Sequence, residues 1–129
     1  MRYTLKNEQL KVSVDSFGAE LFSIVDKNGT EYLWCGDSKY WGRHSPVLFP
    51  VVGKPKEGKF FYDGKEYVMG QHGFARDMEF SLFSEDKDEI WFVLNSDEET
   101  LKKYPYAFTL KLGYRLLPDG VEVCWQVEN

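Results

Sequence analysis

His72, Gly73, Arg76 and Asp77 fall together in the run QHGFARD, and His72 is one of only two histidines in the chain. Side by side, these residue types suit recognition of a polar ligand. An imidazole donates or accepts a hydrogen bond, a planar guanidinium forks onto oxygens, and a glycine lets backbone come close or take a positive φ. If the run is extended, His72, Phe74 and Arg76 share one face, with Ala75 and Asp77 on the other. His72 and Arg76 then lie about 13 Å apart, at about 3.3 Å per residue. That is too wide for a single carboxylate and suits a ligand of several groups, or a sugar carrying a substituent. The structural alternative is that Arg76 and Asp77 pair at the surface while His72 caps a turn. The other histidine, His44, follows Arg43 directly before SPVLFPVVGK. Pro46 and Pro50 bracket Val47, Leu48 and Phe49 in that run. They either break and turn a strand, or stiffen a loop at the mouth of a cleft and so reduce the entropy lost on binding. Arg43 and His44 lie at the start of that loop, and an Arg-His pair is by itself a weak signal of binding.

Other chemistries find little support. Two histidines and two cysteines share no metal-ligand spacing, so no zinc site is expected. No GxSxG, P-loop or GxGxxG occurs, and no serine nucleophile has a signature. Seven of the 21 acids cluster at Glu85–Glu89 and Asp97–Glu99, where a solvated face accounts for them. With a net charge of −5 the chain is a poor partner for nucleic acid. No run is long enough to cross a bilayer, and Met1–Lys6 has no apolar signal-peptide core. Cys35 and Cys124 fit no CxxC pattern and read as free thiols in a reducing cytoplasm. Aromatic residues make up 17% of the chain, which favours pleated surfaces and also suits sugar rings, whose C–H faces stack on Trp and Tyr.

Positioning these residues falls to strands and turns. Leu10, Val12 and Val14 alternate with polar neighbours, and Ala19–Asp26 carries Leu21, Ile24 and Val25. Asn28-Gly29 predicts a hairpin into Glu31–Trp34. Val47–Val52 reads as a strand ending at Pro50. Further hairpins are predicted for 60–62 with 66–68, for 78–84 with 90–94, and for 108–116 with 121–127. Ser96–Tyr104 opens on a capping residue and acids, closes on lysines, and is stopped by Pro105, which predicts one or two helical turns. Gly36–Trp41 is a second candidate for a short helical turn. The expectation is a single all-β domain over residues 1–129, an antiparallel β-sandwich or a piece of one, with one or two short helices. The apolar last strand stops at Glu128-Asn129. It is expected to lie centrally in its sheet or to be followed by further chain, since bare edges invite aggregation.

Four stretches, in order, resemble the N-terminal half of the aldose 1-epimerase (galactose mutarotase-like) family: FGAELFSI at 17–24, SPVLFPVVGK at 45–54, QHGFARDMEF at 71–80 and YPYAFTLKLGYRL at 104–116. The closing VEVCWQVEN is similar to the strand that precedes the middle of those proteins. The HGFAR form resembles the branch that includes hexose-6-phosphate epimerases. The resemblance implies the N-terminal half of a β-supersandwich, a sugar or sugar-phosphate ligand, and no metal or organic cofactor. It also implies anomer interconversion by acid–base ring opening. A base takes the C1 hydroxyl proton, an acid protonates the ring oxygen, and rotation before reclosure gives the other anomer. The family's acid is a histidine and its base a glutamate, both from the second half. The resemblance thus places both beyond Asn129, and no catalytic residue is assigned among these 129. His72 matches the earlier family histidine that holds the sugar near its ring oxygen. Arg76 matches the motif arginine, a contact for hydroxyl or phosphate. Arg43 and His44 fall where some members place a substrate arginine. Alone, the chain is expected to be inactive as an isomerase; the alternatives are a non-catalytic sugar-binding module and a half-domain that self-associates as a homodimer through open sheet edges.

Overall fold

The computed structural model describes residues 1–129, and it is built almost wholly of antiparallel strands. β1 (Arg2–Lys6), β2 (Leu10–Asp15) and β3 (Glu20–Asp26) form a meander in that order. β4 (Lys59–Tyr62) and β5 (Lys65–Val68) form a hairpin closed by Asp63-Gly64, both at positive φ as a tight hairpin turn demands. β6 (Ser81–Glu85), β7 (Glu89–Asn95), β8 (Thr109–Leu117) and β9 (Gly120–Glu128) form a four-stranded sheet in chain order.

Alternation decides which faces meet. Ile90, Phe92 and Leu94 on β7, and Leu110, Leu112, Tyr114 and Leu116 on β8, are buried, while the residues between them point away. They share one core with Leu5, Val12, Val14 and Leu21 of the three-stranded sheet. Tyr3 packs edge-on against Phe92 with ring centroids 5.3 Å apart. The two layers are also pinned by a polar bond: the Tyr114 hydroxyl donates to the Ala19 carbonyl at 2.6 Å. Burial pushes the Tyr114 phenol above its ordinary range, so it stays a protonated donor.

The one α-helix, α1 (Glu98–Lys103), begins one residue later than the first capping candidate. Asp97 caps it, accepting from the Thr100 N–H at 2.8 Å, while the Thr100 hydroxyl accepts from the Asp97 N–H. Ser96 instead accepts the Phe108 N–H and ties the helix exit to β8.

Four local expectations are corrected. Glu31–Trp34 is not a strand. The Glu31 carboxylate accepts the Ile24 and Leu33 N–H groups itself, leaving a single bridge between Val25 and Glu31. Val47–Val52 is not a strand either, because Pro50 has no N–H and the Phe49 carbonyl turns to the 73–75 segment. Gly36–Trp41 makes a turn about Asp37 and no helix. QHGFARD is not extended: His72 has φ 66° and Ala75–Asp77 is a turn of 3₁₀ helix. The structure also adds β1, a short strand whose inward Tyr3 and Leu5 lie among polar neighbours. The last strand, β9, lies at an edge of its sheet and not at its centre.

Candidate functional site

Three sequence-distant segments are sewn together by backbone bonds. The Phe49 carbonyl accepts the N–H groups of Phe74 (2.9 Å) and Ala75 (3.2 Å). Gly73 permits this approach. It has φ 73°, and a Cβ there would stand 2.1 Å from the Phe49 oxygen. Gly53 and His72 are joined twice: the His72 N–H donates to the Gly53 carbonyl at 2.7 Å, and the Gly53 N–H donates to His72 Nδ1 at 2.9 Å. At its far end the 71–80 segment is held to the 16–18 turn, with the Gly18 N–H on the Met78 carbonyl and the Phe80 N–H on the Ser16 carbonyl.

β3 positions the other side. Its first residue, Glu20, accepts the N–H groups of His44 (2.6 Å) and Ser45 (3.0 Å) on one carboxylate oxygen. The Ser45 hydroxyl donates to the Leu21 carbonyl. His44 Nδ1 lies 3.8 Å from the same Glu20 oxygen, and Phe22 packs edge-on against the imidazole.

Between these segments opens a cleft of about 500 Å³, lined by Trp41, His44, Ser45, Pro46, Leu48, Gln71, His72 and Arg76. That volume lies in the range for small-molecule sites. A wider depression of about 850 Å³ lies elsewhere, between the Lys6–Gln9 turn and the residues around Lys87 and Pro118, and gathers no imidazole or guanidinium.

Each polar group in the cleft has a defined role open to it. Because His72 Nδ1 accepts a backbone N–H, the neutral ring carries its proton on Nε2. Nε2 is 3.3 Å from the Gln71 side-chain amide, which therefore belongs with its oxygen toward the ring. Arg76 donates from Nη2 to the Gln71 carbonyl at 2.8 Å, and its buried Nε has no hydrogen-bond partner, lying 3.6 Å from Asp77. The guanidinium is anchored at one nitrogen, with further N–H donors left for a ligand.

Of the four candidate contacts, His44, His72 and Arg76 line the cleft together. Arg43 does not; its Nη2 bonds Asp77 at 2.7 Å, so one carboxylate stands between the two arginines. The surface pairing and turn capping offered as a structural alternative are therefore also present, on the same residues. Trp41, Ser45 and Gln71 were not singled out from sequence. Only the aromatic excess hinted at Trp41, and Ser45 and Gln71 carry no motif of their own.

The fold and cleft define the class: an antiparallel β-sandwich with a polar, open cleft, of galactose mutarotase-like architecture. The sequence profile described as aldose 1-epimerase matches residues 1–129. The protein LacX (plasmid) of Lactococcus lactis subsp. lactis is 36% identical over 138 residues, covering 100% of this chain and 45% of that protein. Among solved structures, a galactose mutarotase related enzyme from Lactobacillus acidophilus superposes with a TM-score of 0.97 at 40% identity, covering 98% of this chain and 43% of that one. A galactose mutarotase-like protein from Lactobacillus casei gives 0.97 at 38% identity, covering 100% and 44%. This chain belongs to the aldose 1-epimerase family. It spans a little under half the length of these relatives.

Proposed function

We propose that this chain supplies the substrate-holding wall of an aldose 1-epimerase-type isomerase, whose complete cleft takes a hexose or hexose phosphate and interconverts its anomers by acid–base ring opening. One observation carries the reading: His44 from one segment, and His72 and Arg76 from another far from it in sequence, line a single cleft of about 500 Å³. His72 Nε2–H exchanges the Gln71 side-chain oxygen for a ring or hydroxyl oxygen of the sugar. Arg76 presents its remaining N–H groups to hydroxyl or phosphate oxygens. His44, set by Glu20, borders the same space and carries no assigned proton-transfer role. The family resemblance puts the histidine acid and glutamate base outside residues 1–129, and on this reading these residues hold sugar without turning it over. Names given to relatives, a galactose mutarotase related enzyme among them, support a sugar ligand.

The test is paired. Nitrogen-15 and carbon-13 NMR of the His72 ring on titration with glucose, galactose and glucose 6-phosphate is expected to show saturable shifts. Polarimetry of freshly dissolved glucose is expected to show no acceleration. No shift up to high millimolar sugar refutes the wall, and rapid mutarotation by pure chain refutes the missing acid and base.

A second reading is favoured by β9. Val123, Trp125 and Val127 pair with the buried Tyr114, Leu112 and Leu110, so they share the core-side face, yet each is about half exposed. We infer that residues 1–129 form one all-β domain that can self-associate over this edge. Light scattering that shows only monomer at millimolar concentration refutes it. The two free cysteines are compatible with a cytoplasmic setting, and no helix is long and apolar enough to cross a membrane.

A further inference from the structure

We propose that Trp41 is the stacking platform of this cleft, the surface on which the C–H face of the sugar ring lies, and that Trp34 is the residue that positions it. The inference rests on the sugar-binding reading above and assigns a specificity role within it.

The lining is lopsided. His44, Ser45, Gln71, His72 and Arg76 offer hydrogen-bonding groups, while Pro46 and Leu48 are small or branched. Trp41 alone offers a flat apolar face as wide as a pyranose ring, and it is 49% exposed. A hexose has the complementary division, with C–H groups on its faces and hydroxyls around its rim. A ligand that lays one face on the indole turns its rim toward the imidazoles and the guanidinium.

The indole is also held ready. The Asp37 carbonyl accepts the N–H groups of Tyr40 (3.0 Å) and Trp41 (2.9 Å), and the Asp37 carboxylate accepts the Lys39 N–H at 2.9 Å. Trp34 Nε1–H donates to the Trp41 carbonyl at 2.7 Å, and its ring packs edge-on to Tyr40 with centroids 6.3 Å apart. This closed loop rests against the cleft itself: a Cβ on Gly36 would stand 2.6 Å from His44 Nε2. The 34–41 turn therefore delivers Trp41 and braces His44 at once. Ordering the platform before the ligand arrives reduces the entropy lost on binding.

The experiment measures hexose dissociation constants by NMR titration of wild type, Trp41→Phe, Trp41→Ala and Trp34→Phe, following the four tryptophan indole N–H signals and the His72 ring. In wild type the Trp41 indole signal and His72 are expected to shift together on one saturation curve. Trp41→Ala is expected to weaken binding roughly tenfold, and Trp41→Phe, which keeps a ring, by less than about threefold. Trp34→Phe keeps its ring but loses the bond to the Trp41 carbonyl. It is expected to broaden the Trp41 indole signal and weaken binding to an intermediate degree. If wild type and both Trp41 variants bind hexose equally, with His72 still shifting, the platform is refuted while the sugar-holding wall stands. If wild type shows no hexose-dependent shift at all, the wall itself fails and the platform with it.

Discussion

Replacing Gly73 with alanine puts the junction of the two cleft segments to a quantitative test. The new methyl would stand 2.1 Å from the Phe49 oxygen, 2.4 Å from its carbonyl carbon and 2.7 Å from the Pro50 nitrogen, where real Cβ atoms stay beyond 3.0 Å. All three are backbone atoms, so no side-chain rotation relieves the contact, and the segments must part by about an ångström. Parting removes the Phe74 and Ala75 N–H groups from the Phe49 carbonyl, a loss of about 1 kcal/mol for each bond. The positive φ adds about 1 kcal/mol for a residue with a Cβ. The expected destabilisation is roughly 3–4 kcal/mol, a large share of a domain's usual stability. Gly29→Ala is the matched control. Its φ is 85° but nothing lies within 4 Å of the added methyl, so it carries only the conformational cost of about 1 kcal/mol. Urea unfolding followed by tryptophan fluorescence and circular dichroism gives both values from the midpoints. Equal destabilisation by the two substitutions would refute the claim that the contact between 49 and 73 is what requires glycine.

Further expectations concern the ionisable groups. Tyr114→Phe keeps the buried ring but removes the donor to the Ala19 carbonyl, and is expected to lower stability by about 1–3 kcal/mol in the same denaturation assay. Because burial raises the native Tyr114 phenol, the unfolded chain loses its proton first as pH rises. The wild type therefore loses stability above the ordinary tyrosine value of about 10, and Tyr114→Phe is expected to lack that part of the decline. At the acid end, Asp26 is held below its ordinary range, first by the Thr30 backbone N–H, which outweighs an opposing desolvation, and further by Asn28 and Tyr32. That stabilisation is complete above the unfolded carboxylate value and is lost as pH falls through the lower native one. Amide exchange at Asn28 and Thr30 is expected to quicken there before exchange in β7 and β8 does, and simultaneous loss would refute a local role for Asp26.

The sequence by itself determined the elements whose reason is local. Period-two alternation marked β2, β8 and β9, apolar runs bounded by turn residues marked β3 and β7, Asp63-Gly64 marked a hairpin, and acids before lysines with a following proline marked α1. These read correctly because a strand's alternation and a helix's end charges act within the segment that carries them. The motifs also singled out His72 and Arg76 as candidates, and carried the family resemblance, as a matter of residue identity. Tertiary structure decided the rest. Whether QHGFARD ran straight or folded back depended on the Phe49 carbonyl, more than twenty residues away in sequence, capturing the Phe74 and Ala75 N–H groups. That capture put His72 and Arg76 on one cleft, where an extended run would have held them apart. Arg43 went to Asp77 instead of the cleft, and Trp41 entered it, because long-range pairing is settled by which partners the packed sheets bring within bonding distance. Spacing along a chain carries no record of that outcome.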